Sequence, residues 1–451
     1  MKGFLLDLNR CTGCHACMLA CTIENELGQE KSWREVYTFN LQRRPSMARF
    51  HLSLGCLHCA DPACMRSCPA LAYARDPSTG AMLIDTRLCI GCKYCNWVCP
   101  FDAPRYNRST RTISKCTLCN HRLIEGGNPA CVSLCPTGAL QFVELLPPPG
   151  TEAVPGFPVT GIGPAIRFVP LRSASGPEVS PELCQAPVAA GFQTPDPAST
   201  PKVSVESEWS LIGFTLAAAL LVAIAGAALL RPLRIDGYDF LIAALGTIGV
   251  GTLHLGRRLR AWRAVLNLRH SWLSREIFFY AIFVALTATG LFLPSAGKTL
   301  GWAGILSGFA ALFCVDRVYD SVATRSSVRF HSAGAVLTGL FLSGILAGSA
   351  PLAGLAGLTK LVLYADRQPW SGSSGRLFAS VLRLGLGFVA PLALWHVYPG
   401  WVLPAVVVGE VIDRCEYYLD LDLITPRNQI ALDLKENIAA IRNAPGRYSG
   451  T

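Results

Sequence analysis

The sequence predicts two architectures in one chain. An α+β domain of short strands and cysteine loops, built as two pseudo-repeats, precedes an all-α bundle of eight transmembrane helices. Three observations carry this. Sixteen of the 19 cysteines fall within residues 11 to 135, residues 209 to 418 are mostly Leu, Ala, Gly, Val and Phe, and a stretch rich in Pro, Gly, Ser and Thr separates the two. Over all 451 residues only 16% are charged, against about 25% in a soluble average, and mean hydropathy is +0.36. The net charge of +10 raises the question of nucleic acid. The basic residues cluster between apolar runs, however, which is a membrane-topology pattern.

The cysteines form four groups: Cys11, Cys14, Cys17, Cys21; Cys56, Cys59, Cys64, Cys68; Cys89, Cys92, Cys95, Cys99; and Cys116, Cys119, Cys131, Cys135. The first and third read C-x2-C-x2-C-x3-C. The second, third and fourth each end in C-P, at Pro69, Pro100 and Pro136. Three soft thiolates on one tight loop, with a fourth just before a proline, is the bacterial ferredoxin pattern for cubane iron–sulfur clusters. A disulfide framework suits small secreted domains, and the opening MKGFLLDLNRC does not read as a secretory leader. Paired C-x2-C units can hold zinc, but zinc explains neither the third cysteine of each loop nor the trailing C-P.

Taken in order, Phe4 to Leu8 reads as a strand feeding the first loop. Apolar stretches at 48–54 and 81–85 precede later groups, and 74–84, with Asp76-Pro77 and Gly80, reads as a hairpin. The recurrence of strand, cysteine loop and C-P turn predicts two ferredoxin-like halves. In two-cluster ferredoxins the fourth cysteine of each run binds the other cluster. Applied here, Cys56, Cys59, Cys64 join Cys99, and Cys89, Cys92, Cys95 join Cys68. Likewise Cys11, Cys14, Cys17 join Cys135, and Cys116, Cys119, Cys131 join Cys21. Four 4Fe–4S clusters follow, in a domain with no acid, base or nucleophile set for substrate chemistry. His15, His58 and His121 lie beside cysteines as neighbours rather than ligands. Arg105, Arg108, Arg111 and Lys115 are candidates to stabilise reduced clusters, or form a solvated docking face.

The expected domains are the cluster domain at 1–146, a Pro/Gly-rich linker at 147–208 containing the lone Cys184, a transmembrane anchor at 209–418 and a C-terminal tail at 419–451. The spans are placed at 209–230, 238–255, 275–293, 301–316, 331–348, 351–363, 377–398 and 402–418. The sixth is short and carries Lys360. Arg257, Arg258, Arg260, Arg263 and Arg269, and after helices four and six Arg317, Arg325, Arg329, Arg367 and Arg376, fall on one side. The positive-inside rule puts that side, with the cluster domain and the tail, in the cytoplasm of a bacterial inner membrane. Ionisable residues at membrane depth are functional candidates. His254 ends the second span beside the basic loop, where a neutral imidazole suits a quinone. Arg275 with Glu276, and Glu410 with Arg414 four residues on, are further candidates there, or neutralised pairs that fix helix packing.

The stretches CLHCADPACMRSCP (56–69) and CIGCKYCNWVCPFDAP (89–104) resemble the iron–sulfur subunit of the dimethyl sulfoxide reductase family of molybdenum enzymes. His254-Leu255-Gly256, Arg260-Ala261-Trp262, Ser271 to Glu276, and Gly409-Glu410 with Arg414 resemble that family's anchor subunit. The likeness covers nearly the whole chain outside the linker, as a fusion of two subunits. It implies a separate molybdopterin catalytic subunit, eight helices in membrane lipid, and a quinone or quinol site at the H-L-G histidine, His254. Relatives of the nitrate reductase type replace a third-group cysteine, whereas Cys92 is present here; the first group has Thr22 in place of the trailing proline. A cytoplasmic catalytic side is more similar to the sulfite dehydrogenase branch, which feeds quinone. The alternatives are a quinol-oxidising dimethyl sulfoxide reductase subunit and, in another class, the cluster-and-anchor module of a proton-translocating or hydrogenase-like complex. A chain of proton-relay residues inside the helices favours the latter, and only Lys360 and Glu410 stand out for it. A tethered stand-alone ferredoxin would explain neither the histidine nor four clusters.

Overall fold

A computed structural model describes residues 2–28, 32–44, 47–145, 154–172, 202–231, 233–293, 295, 297–325, 331–367, 374–394 and 399–443. It divides into two compact units, one of residues 1–202 with 423–451 and one of residues 203–422.

The first unit is organised around a three-stranded sheet in the order β8-β1-β9. The strand β1 (Lys2–Asp7) pairs antiparallel with β8 (Leu140–Glu144), Phe4 opposite Phe142, and parallel with β9 (Ile166–Val169), Phe4 opposite Ile166. Alternation along β1 sends Phe4 and Leu6 into the core, where each buried side chain contributes about 1.5–3 kcal/mol. Three hairpins complete the unit: β2 (Glu35–Phe39) with β3 (Phe50–Leu54), β4 (Tyr73–Arg75) with β5 (Met82–Ile84), and β6 (Arg105–Asn107) with β7 (Thr112–Ser114). Between β4 and β5, Asp76 caps the turn by accepting from Ser78 N–H (2.9 Å) and Thr79 N–H (3.0 Å). Short helices follow the cysteine loops: α1 (Ala16–Glu24), α2 (Ala63–Ser67), α3 (Tyr94–Trp97), α4 (Asn120–Ile124) and α5 (Ala130–Ser133).

Two segments beyond the cysteine region join this unit. Residues 154–172, part of a linker expected to drape over the cluster domain or be partly disordered, bury Val154, Phe157, Ile166 and Phe168 in its core, and β9 extends the sheet. The helix Pro426–Asn443 also belongs here. Its Ile430 lies in the same core, and Asp433 accepts from the Gly156 N–H. Cys184 falls outside the described residues.

In the second unit each of the eight apolar stretches carries helix. These are α6 (Val205–Leu230), α7 (Gly237–Thr252), α8 (Trp272–Phe292), α9 (Gly297–Asp320), α10 (Ala335–Ala347), α11 (Ala350–Asp366), α12 (Ser374–Leu384) continued through a π turn (Gly385–Val389) into α13 (Ala390–Leu394), and α14 (Pro399–Asp420). Three of them, α6, α8 and α9, are long and apolar enough to cross a membrane by length and composition. The 26 residues of α6 reach about 39 Å, beyond the ~30 Å hydrocarbon core, while the 16 of α7 reach only about 24 Å. Starts and stops follow local chemistry. Ser204 and Ser207 form a capping box on α6, Asp236 and Ser271 cap α7 and α8, and Gly348 ends α10 at φ 57°.

Candidate metal centres and a buried charge cluster

The first C-x2-C loop of each of the four groups turns the same way. The residue before its second cysteine is left-handed: Gly13 (φ 70°), His58 (45°), Gly91 (71°) and Leu118 (62°). Where glycine stands there, the turn is unstrained, and at Gly13 the His51 ring also occupies the space that a Cβ would need. These turns, and the C-P turns after the fourth cysteines, bring backbone N–H groups toward sulfur. Ala72 N–H points to Cys68 Sγ (3.4 Å), Gly91 to Cys89 (3.4 Å), Leu118 to Cys116 (3.3 Å) and Leu140 to Cys135 (3.5 Å). Such contacts favour the thiolate, the form that binds metal.

Two cavities lie at the centre of the unit. Cys56, Cys59, Cys64 and Cys99 line one, with about 400 Å³ of empty space. Cys68, Cys89, Cys92 and Cys95 line the other, with about 310 Å³. The fourth cysteine of each run therefore stands with the other run's triplet. In the outer groups Cys11 feels the charges of Cys17, Cys135 and Cys14, Cys21 those of Cys131 and Cys119, and Cys17 those of both Cys131 and Cys135. Burial, then the charges of Cys56 and Cys99, pushes the Cys64 thiol up to about 12, so metal binding there must displace a proton. Among the described residues no group of three or more His, Cys, Asp or Glu is placed to hold a single metal ion. Four sulfur donors spread round a cavity, with N–H groups aimed at sulfur, fit a cubane cluster.

Of the four basic residues singled out from the sequence, only Lys115 reaches a cavity. Its buried ammonium donates to the carbonyls of Met82 and Cys116. Arg105 pairs with Glu35 (3.1 Å) and Asp102 (3.3 Å), and Arg108 and Arg111 are exposed. Sequence reasoning missed Arg34. Its buried guanidinium donates to the Ser53 carbonyl (2.9 Å), packs over Phe4, and lies close enough to Cys131, Cys17, Cys116 and Cys21 to feel their charges. It also missed Lys202, which donates to the Cys99 carbonyl (2.9 Å). Among the histidines, His15 Nδ1 meets Met18 Sδ and His121 Nε2 meets Glu24 (2.7 Å), both exposed, while His58 is buried at a cavity wall.

In the helical unit His254 follows the end of α7. Its Nδ1 donates to the Gly251 carbonyl, so the lone pair of the neutral ring is on Nε2. Arg275 and Glu276 do not pair. Arg275 donates to the carbonyls of Leu268 (2.8 Å) and Arg269 (2.7 Å) and stacks on Trp272, while buried Glu276 feels the charges of Arg414 and Asp316. Glu410 and Arg414 also have other partners. Arg414 donates to the Ala333 carbonyl (2.7 Å) over the Tyr319 ring. Glu410 accepts from Lys360 (2.9 Å), Arg383 (3.0 Å) and Thr338 (2.8 Å). One helical step away, Asp413 accepts from Arg367 (2.8 Å), Arg383 (3.2 Å) and Ser332 (2.7 Å). Lys360, Arg383 and Asp413 are all fully buried. Arg383 fits because Gly387 of the π turn and Gly409 of α14 present no side chain to its guanidinium. Asp413 and Arg383 were visible as charges inside the last two apolar stretches, and the 410/413 spacing put both carboxylates on one face.

A family description of the 4Fe-4S dicluster domain matches residues 47–145, and one of the DMSO reductase anchor subunit matches residues 206–366. The probable anaerobic dimethyl sulfoxide reductase chain YnfG of Escherichia coli is 40% identical over 148 residues, covering 31% of this chain and 72% of that protein. A chain of the anaerobic dimethyl sulfoxide reductase of Haemophilus influenzae is 38% identical, covering 34% and 79%. A sulfite dehydrogenase subunit of Allochromatium vinosum is 32% identical, covering 38% and 83%. The fold and the cysteine loops thus define an iron–sulfur electron-transfer protein that carries its own membrane anchor domain. This protein belongs to the dimethyl sulfoxide reductase iron–sulfur subunit family, with the anchor subunit fused to it in one polypeptide.

Proposed function

We propose that this protein carries electrons between a separate molybdopterin catalytic subunit and the membrane quinone pool. The observation that carries the reading is the exchange of fourth cysteines between triplets, in a chain that also contains its anchor. The cysteine sets would hold four 4Fe–4S clusters: Cys11, Cys14, Cys17, Cys135; Cys21, Cys116, Cys119, Cys131; Cys56, Cys59, Cys64, Cys99; and Cys68, Cys89, Cys92, Cys95. Such clusters supply one-electron transfer. The protein fixes their spacing and aims N–H groups at their thiolates. All eight apolar helices cross the bilayer in this reading, with the basic loops, the cluster unit and the tail cytoplasmic. A reporter fused after Thr451 tests the orientation, and activity only from a periplasmic reporter would reverse it. His254 receives the quinone headgroup, its Nε2 lone pair suited to accept a quinol hydroxyl proton. Glu410 and Arg414 serve helix packing through the contacts described above.

The likeness to a sulfite dehydrogenase subunit supports sulfite as the electron source. Sulfite-dependent quinone reduction by the purified complex, with an iron-to-chain ratio of about sixteen, is the expected result. Dimethyl sulfoxide reduction without sulfite oxidation would replace it with the quinol-oxidising reading. One observation favours a second class of function. Lys360, Glu410 and Asp413 form a connected buried network that continues through Arg367 to the exposed Asp420 (2.6 Å), an arrangement suited to proton movement. Vesicles containing the complex would then acidify or alkalinise during turnover.

A further inference from the structure

The two central cavities have matching cysteine sets but different polar walls. We propose that His58 and Lys115 make the cluster at Cys56, Cys59, Cys64 and Cys99 more easily reduced than its neighbour at Cys68, Cys89, Cys92 and Cys95, so that it keeps the electron within the central pair. This rests on the ligand sets proposed above.

His58 Nδ1 accepts the Met82 backbone N–H at 2.8 Å. A backbone N–H only donates, so the proton of the neutral ring is on Nε2. That Nε2–H is sealed from solvent and has no acceptor among the described residues. Buried donors without acceptors are rare, because the lost hydration is not replaced. His58 lines the cavity together with Cys56, Cys59, Cys64 and Cys99, and sulfur bound there is the acceptor the ring lacks.

Lys115 lines the same cavity. Its two carbonyl partners hold the ammonium in place without neutralising it, and it pairs with no carboxylate among the described residues. Its charge bears on Cys64. The second cavity has donors of its own but no equivalent buried cation among the residues that line it. The polar group beside its cysteines is the uncharged Tyr73 hydroxyl, next to Cys95, and the lysine on its wall, Lys93, turns its ammonium over the Tyr106 ring. Reduction adds one negative charge to a cluster. Donors reach sulfur at both cavities, but of the two only the first is lined by a buried cation, which together with the His58 N–H stabilises the added charge there.

The test uses the full-length protein with its clusters loaded. The midpoint potential of each centre is read by titration under electron paramagnetic resonance, with iron content measured alongside. Cys99→Ser first identifies the signal that belongs to this site. His58→Phe removes the ring N–H, and Lys115→Gln removes the charge while leaving an amide donor for the two carbonyls. Both should shift that one signal to lower potential, with the other signals and the iron content unchanged. Lys115→Arg should restore the parent value. Protein labelled with ¹⁵N-histidine should show a nitrogen coupling to this reduced centre that His58→Phe abolishes. If both variants keep their iron and no signal moves, the tuning proposal is overturned. If a signal other than the one altered by Cys99→Ser moves, the ligand sets are at fault and the proposal falls with them. Should Lys115→Gln lose iron, His58→Phe and the nitrogen coupling decide the matter alone.

Discussion

Asp413→Asn keeps the shape of a fully buried side chain and removes its charge. The carboxylate stands 2.8 Å from Arg367, 3.2 Å from Arg383 and 3.8 Å from Lys360. Without it, Glu410 is the carboxylate left to both Lys360 and Arg383, and Arg367 keeps the exposed Asp420 and the Ser332 hydroxyl. Removing one partner of a buried ion pair costs about 3–5 kcal/mol, because the remaining charges stay desolvated and uncompensated. The amide oxygen of the variant can still accept from Ser332, so that bond is no part of the figure; Ser332→Ala by itself should cost only about 1 kcal/mol. The assay is SDS unfolding of the purified protein in mixed micelles, followed by circular dichroism at helix wavelengths. Combining Asp413→Asn with Lys360→Met should cost less than the sum of the two, with a coupling of about 0.5–3 kcal/mol. A loss below about 1 kcal/mol for Asp413→Asn, with no coupling to Lys360, would refute the view that this carboxylate balances the cluster.

Three other outcomes are expected. His254→Ala should leave iron content and cluster spectra intact while slowing cluster oxidation by quinone analogues; an unchanged rate places the quinone elsewhere. Gly13→Ala should destabilise the first cysteine loop by at least about 1–2 kcal/mol, the usual cost of a left-handed L-residue, with the His51 ring adding to it. Substoichiometric iron in that variant is the sign to look for. Stripping iron with a chelator should make the cluster unit sensitive to protease while the helical unit keeps its circular dichroism, since thiols gathered round a cavity depend on metal for their stability. Equal protection of both units would contradict this.

The cysteine loops were legible because their ligands are local. A C-x2-C spacing and a trailing proline determine a turn within a dozen residues, and the left-handed position at Gly13 and Gly91 is a glycine for that reason. The exchange of fourth cysteines was legible only through the repeat. Arg34 was not, because its place depends on Ser53 and on cysteines of two different groups. The same holds for β9. Ile166 and Phe168 read as isolated apolar residues among prolines and glycines until β1, some 160 positions earlier, supplies their backbone partners. In the helical unit, spacing along one helix suggested a Glu410–Arg414 pair. Lys360 and Arg383 reach Glu410 from other helices, and no periodicity within α14 encodes that. Arg275 likewise turns to the carbonyls of the loop before it rather than to its sequence neighbour Glu276.

The return of the helix Pro426–Asn443 to the cluster unit constrains parity and timing. A compact body cannot lie on both sides of a bilayer, so in the membrane-spanning reading proposed above a polypeptide that leaves it at Lys202 and rejoins it at Leu423 crosses an even number of times. An odd count would strand Ile430 on the wrong side of the lipid, away from the core it fills. During synthesis the same connection means that this core is not complete until the last apolar helix has left the ribosome.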